Sequence, residues 1–225
     1  MKQFRSNATD WSWDPVELIR RSIDKLYTWC LIRTYPFAKS GHRVSFHFPC
    51  LLQKRLASRI QLGNCITIRS HTWFDIVPEG TEGLKLIIGD NCGLGARNTI
   101  SARNLIEIGE DVITAASVLI SDHNHAYEDI RLPIRVQGIT EGGRIRIGQG
   151  CWIGHGAAII CSRGELVLGE HCVVAANSVV TRSAPPYSVI AGNPARVIKH
   201  YDFGKQRWVM GSARTAEAEP EKVTL

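Results

Sequence analysis

Three stretches of the chain keep a six-residue beat, and few folds accept one. Ile88, Leu94 and Ile100 form one set, Ile147, Ile153 and Ile159 a second, and Leu168, Val174 and Val180 a third. Gly89, Gly109, Gly148 and Gly169 each follow the leading aliphatic residue of a line. The related lines are "LGNCIT", "IGDNCGLGARNTISA", "IGEDVITAASVLI", "IGQGCWIGHGAAII" and "LGEHCVVAANSVV". A short internal period marks a solenoid, in which each repeat is buried against its neighbours. Three sides of six residues make a coil of about 18 residues. One aliphatic side chain per side points into a narrow prism, and the next position turns a corner. Gly, Asn or Asp is expected there because corners need positive φ. The pattern predicts an all-β fold, a left-handed parallel β-helix that departs from the right-handed crossover rule. A doubly wound α/β fold is disfavoured, since no helical stretches separate the lines, and the period-two alternation of a sandwich is scarce.

The length of 225 residues suits one domain with small appendages. The expected division is an N-terminal helical and extended segment over 1–60, the β-helix over 61–200, and a C-terminal segment with a tail over 201–225. Residues 14–33 carry a helical pattern, with Asp14 to cap it and Pro15 in the first turn. Ile19, Ile23, Leu26 and Cys30 share one face, which predicts a helix packed on the main domain. The alternative is a basic amphipathic helix resting on a membrane, with Arg20, Arg21 and Lys25 off that face. Within the β-helix, residues 121–144 read as an extruded loop, 78–83 ("PEGTEG") as a smaller loop, and 161–166 ("CSRGEL") as a bulge between coils. "HYDFGKQRWVM" is expected to pack on the prism, and "TAEAEPEKVTL" to be disordered.

Charge and cysteine content narrow the function classes. The net charge of +6 and a pI near 9.0 fit an anionic ligand or membrane surface as well as nucleic acid. The basic residues are scattered and no nucleic-acid-reading motif occurs, so nucleic acid is not an expected partner. Seven cysteines, an odd number with no CxxC pair, argue against a disulfide framework or structural zinc. They read as small buried thiols in a reducing compartment. The first fifteen residues lack an apolar signal core and no run approaches 18 apolar residues. The expected location is the cytoplasm, including the inner face of the membrane.

One stretch breaks the beat. "ISDHNHAYED" places His123 and His125 two apart among Asp122, Asn124, Tyr127, Glu128 and Asp129. Imidazole titrates near neutral pH and suits general-base work on a hydroxyl. A second histidine, Asp122 or Glu128 could orient the base through its other ring nitrogen.

The loop "SDHNHAYED" followed by "LPIRVQG", then "IGQGCWIGHGAAI", "VVAANSVVT" and "VIAGNPARVIK", resembles the hexapeptide-repeat acyltransferases. The similarity is to the maltose/galactoside O-acetyltransferase-like and polysaccharide acetyltransferase branch, over about residues 62–200. The resemblance implies a homotrimer with acetyl-CoA between neighbouring prisms and a loop histidine as base, with no metal and no acyl-enzyme. An ungapped register puts that base on His125, with His123 as the near alternative. It implies a thioester-side groove at Trp152, His155, Ala176 and Thr181, with Arg182, Arg196 and Lys199 meeting phosphates. Arg103 and Asn104 stand where the family's sugar enzymes often carry an acidic residue. They point, with Asp122 and Tyr127, to a different acceptor: a sugar, nucleotide sugar or lipid-linked glycan of surface polysaccharide. The competing activities are N-acetylation of an amino sugar or small amine, and a metal-dependent hydratase similar to γ-type carbonic anhydrase. The latter would draw on His71, His123, His125, His155 and His171. A non-catalytic assembly protein is the third class.

Overall fold

The computed structural model describes residues 14–211. The expected tail "TAEAEPEKVTL" and residues 1–13 lie outside them. Six coils of three short strands stack into a prism. The first is β1 (Lys39–Ser40), β2 (Ser45–Phe46) and β3 (Leu51–Leu52), and the second β4 (Ile60–Leu62), β5 (Thr67–Ile68) and β6 (Trp73–Ile76). The third is β7 (Leu86–Ile88), β8 (Gly93–Leu94) and β9 (Thr99–Ala102), and the fourth β10 (Leu105–Ile108), β11 (Ile113–Thr114) and β12 (Leu119–Ser121). The fifth is β13 (Gly142–Ile147), β14 (Trp152–Ile153) and β15 (Ala158–Ile160), and the sixth β16 (Arg163–Leu168), β17 (Val173–Val174) and β18 (Val179–Val180). Each coil contributes one strand to each of three parallel faces. The fold is the all-β, left-handed parallel β-helix that the six-residue beat predicts.

The beat becomes vertical ladders. On the first face Leu62, Ile88, Ile108, Ile147 and Leu168 stand in register. On the third, Phe74, Ile100, Ile120, Ile159 and Val180 do the same. All are buried. Each contributes about 1.5–3 kcal/mol by leaving water.

The glycines after the aliphatic residues serve a different purpose from the one expected. Gly89, Gly109, Gly148 and Gly169 do not have positive φ. A Cβ at Gly89 would lie 2.8 Å from the Glu110 amide nitrogen, and one at Gly148 would lie 2.6 Å from that of Glu170. Glycine is required there because successive coils touch backbone to backbone. Positive φ falls two positions later, at Asn91, Asp111, Gly150 and His171 (φ 58°, 56°, 66° and 52°). The "CSRGEL" residues also differ from expectation. They form no bulge but lengthen β16, whose Arg163, Gly164 and Glu165 pair with Gly142, Gly143 and Arg144 of β13.

The stack begins at Lys39, inside the 1–60 stretch, and is capped at both ends. Helix α1 (Pro15–Thr34), N-capped by Asp14, lies against the first coil. Its inward face is not the predicted one. Ile19, Ile23 and Leu26 are exposed, while Asp24 and Leu31 are buried. The partner surface explains this. The first coil has a free strand edge whose backbone groups need partners. Thr28 Oγ1 accepts from the Phe46 amide (2.9 Å) and donates to the Phe46 carbonyl (3.0 Å). Asp24 accepts the Phe48 amide (2.8 Å), and the Tyr27 hydroxyl donates to the Cys50 carbonyl (2.9 Å). A polar helix face therefore turns inward. At the far end, β19 (Ser188–Gly192) continues the second face. An antiparallel hairpin, β20 (Ala195–Asp202) and β21 (Arg207–Met210), then extends it. The seven thiols are free and five are buried. Burial pushes the Cys92 thiol up to about 11.

Candidate active site

Every excursion of the prism leaves from one edge, where the third face passes to the first. From the first coil onward it carries the 3₁₀ turn Lys54–Arg59, residues 77–85, the tight Arg103–Asn104 turn, the loop between β12 and β13, and Ser162. Lys85 anchors the second of these. Its side chain is fully buried, and Nζ donates to the carbonyls of Val77 (2.7 Å) and Glu79. Burial, and then the nearby Arg59, lower the ammonium's pKa from the ordinary lysine value. Lys85→Met would leave those carbonyls dry, and a Tm lower by roughly 4–10 °C in calorimetry is expected.

The small loop braces the turn above it. Thr81 Oγ1 donates to the Asn104 carbonyl (2.9 Å) and the Thr81 amide to Asn104 Oδ1 (3.3 Å). The turn in turn holds Asp122. The Arg103 amide donates to Asp122 Oδ1 (2.8 Å) and the Asn104 amide to Oδ2 (2.7 Å). Asp122 is fully buried. His123 Nδ1 lies 3.0 Å from the same Oδ1. A carboxylate only accepts, so Nδ1 is the donor of this pair, and in the neutral imidazole the lone pair is then on Nε2. His123 is itself 9% exposed. Ser121 Oγ donates to its carbonyl (2.7 Å).

His125 has a different setting. It is exposed and forms a backbone bridge with Ile139 in the antiparallel stem of the loop. Asp129 and Arg131 pair at 2.9 Å further out, which holds the Asp129 carboxyl below its usual range. Loop and prism enclose a groove of about 480 Å³, lined by Asn124, Tyr127, Glu128, Thr140, Glu141 and Arg163. Of these, Thr140, Glu141 and Arg163 escape a sequence reading. They come from the return limb and the next coil, and only the extra residues of "CSRGEL" hint at them.

Arg103 and Asn104 face the loop's base. The Arg103 guanidinium donates to the Thr140 carbonyl, and Asn104 Nδ2 donates to the Glu141 carbonyl (2.9 Å). The other nominated residues are spread over the prism. Trp152 points outward from the second face, in a column running Ile113, Trp152, Val173, Val189 and Lys199 on successive strands. Three strand spacings, about 14 Å, separate Trp152 from Lys199. His155 and Ala176 are exposed at the corner between the second and third faces. Thr181 and Arg182 follow β18 and are exposed, as is Arg196 in the hairpin. Within one copy the histidine edge lies opposite the Trp152 face. Among the described residues no three His, Cys, Asp or Glu side chains gather as metal ligands. Nor is any described helix long and apolar enough to cross a membrane.

A triangular parallel prism built on a six-residue step defines the hexapeptide-repeat class. The family model described as "Hexapeptide repeat of succinyl-transferase" matches residues 85–121 and 144–182. Galactoside O-acetyltransferase of Escherichia coli K12 is 30% identical over 61% of this chain and 68% of its own length. WbbJ of the same organism, named for an O-acetyl transferase of lipopolysaccharide biosynthesis, is 30% identical over 72% of this chain and 81% of its own. Rv3034c of Mycobacterium tuberculosis, named as a probable acetyltransferase, is 35% identical over 79% of this chain. The chain spans about half of Rv3034c, 53% of its length. Among solved structures, AntD, an N-acyltransferase from Bacillus cereus in complex with dTDP and 3-hydroxybutyryl-CoA, has a TM-score of 0.61 at 18% identity. That match covers 78% of this chain and 86% of AntD, and the likeness is one of fold. The chain belongs to the hexapeptide-repeat acetyltransferases.

Proposed function

We propose that the chain is an acetyl-CoA-dependent O-acetyltransferase acting on a sugar hydroxyl in surface polysaccharide biosynthesis, with His123 as general base. One observation carries this reading: a buried carboxylate, fixed by two backbone amides, holds Nδ1 of the histidine that begins the extruded loop. The register of the loop favours His125, but that side chain has no such partner in the geometry above, so the role passes to His123. Nε2 takes the hydroxyl proton as the oxygen attacks the thioester carbonyl. The C–S bond then breaks, and the thiolate recovers the proton from the imidazolium. Base help of this kind contributes on the order of 10²–10⁴-fold.

The polar groove beside the loop suits the acceptor, with Tyr127 offering a ring to a sugar face and Glu128 and Glu141 accepting hydrogen bonds from its hydroxyls. The name of WbbJ supports a polysaccharide acceptor, and the dTDP in the AntD complex makes a nucleotide sugar worth testing first. The column from Trp152 to Lys199 is apolar and then cationic. That fits the thin arm and phosphates of coenzyme A, with Arg196 nearby. Because this column lies opposite the histidine edge, the complete site forms between copies, which supports the homotrimer. The loop tip agrees: Ile130 is 97% exposed, and Leu132, Ile134 and Val136 are exposed beside it. Buried free thiols support the cytoplasm.

Thioester consumption with a panel of sugar, amino-sugar and nucleotide-sugar acceptors tests the reading. Acceleration only by amines would replace it with N-acetylation, and acceleration by no acceptor would remove it. Trp152→Ala is expected to raise KM for acetyl-CoA about tenfold, a loss of about 1.4 kcal/mol, with a smaller change in kcat. An unchanged KM would take Trp152 out of the thioester groove.

A further inference from the structure

Helix α1 turns Asp24, Tyr27, Thr28 and Leu31 to the prism and leaves six large apolar side chains in water: Val16, Leu18, Ile19, Ile23, Leu26 and Trp29. Contiguous apolar surface of this kind marks an interaction site. Its surroundings are strongly basic. Residues 14–60 hold nine Lys or Arg against three Asp or Glu, a net +6 that equals the charge of the whole chain. All three acids are already engaged: Asp14 accepts the Val16 amide at the helix N-terminus. Glu17 pairs with Arg20 and Arg21, and Asp24 is buried against His47 and the Phe48 amide. A groove of about 410 Å³ between α1 and β2 is lined by Lys25, Arg33 and Arg43 around Trp29, Ile32 and Thr28. Among the described residues, none of these three cations is in an ion pair with a carboxylate.

We infer that α1 and the first coil form a docking surface for an anionic lipid bilayer. The apolar stripe enters the acyl boundary, and Lys25, Arg33 and Arg43 meet lipid phosphates. This is the arrangement of an interfacial amphipathic helix, with its cations drawn to an anionic leaflet. Charge selects the bilayer over a second copy of the chain, since helix-to-helix pairing would bring +6 against +6. The surface holds the prism at the membrane, where a lipid-linked glycan is presented, and it does not depend on the acyl-transfer reading.

Vesicle co-sedimentation of the full chain tests it. Binding is expected to phosphatidylcholine vesicles carrying 30% phosphatidylglycerol, weakly or not at all to pure phosphatidylcholine, and several-fold less in 1 M salt, where the Debye length falls to about 3 Å. The double variant Ile23→Asp, Leu26→Asp is expected to lower partitioning by about tenfold or more with an unchanged melting curve, because both side chains point outward. Lys25→Glu gives an independent second variant and is expected to lower it several-fold. Equal binding to both vesicle types, no binding to either, or full binding by both variants would overturn the inference. So would an altered oligomeric mass of the double variant in lipid-free light scattering, which would assign the stripe to a second copy.

Discussion

His123→Ala is expected to lower kcat by about 10²–10⁴-fold, with the KM for acetyl-CoA little changed. His125→Ala is expected to cost no more than a few-fold. The contrast follows from the two settings. His123 is almost enclosed, its Nδ1 held 3.0 Å from a buried carboxylate, so its ring is fixed before the acceptor arrives. His125 lies in an exposed ribbon, where orienting its ring would cost side-chain entropy at each turnover. Steady-state rates of the two variants with one accepted sugar decide the matter. A large loss in His125→Ala beside a small one in His123→Ala would reverse the assignment.

Asp122→Ala is expected to lower both rate and stability. The substitution removes the acceptor for the Arg103 and Asn104 amides and for the imidazole, in a place water does not reach. Leaving two backbone donors buried and unpaired costs about 2–5 kcal/mol, which calorimetry would show as a Tm lower by roughly 5–15 °C. Because Asp122 acts through His123, kcat should fall by about 10-fold or more at a temperature where the variant is folded. Acetyl-CoA binding should be unchanged. A variant with lowered Tm but wild-type kcat would leave Asp122 a purely structural brace.

Much of this architecture is legible in the residues themselves. Ile88, Leu94 and Ile100 declare their spacing because a prism interior accepts little else. The first coil is less visible. Phe46 and Leu52 keep the six-residue step, but Ser40 stands beneath Leu62 where an aliphatic residue would start it. Helical periodicity locates α1 correctly yet assigns its faces in reverse, because periodicity cannot reveal that the partner is a strand edge asking for hydrogen bonds rather than an apolar sheet. The corner glycines are found for the wrong reason, since backbone contact between coils is a long-range fact. The braces from Thr81 through Asn104 to Asp122 are invisible for the same cause: each joins residues about one coil apart. The concentration of positive charge before residue 61 can be counted from sequence. It gains meaning only when those residues fall on one end of the stack.

That all excursions depart by a single edge makes acceptor preference exchangeable. The interior ladders do not sense how many residues lie between Ser121 and Gly142, and lengthening a surface loop costs little, about 0.6 kcal/mol for each doubling. Under the proposed function, a lineage can therefore graft a new excursion there and acquire a new acceptor, while the opposite face keeps the strip proposed for the donor.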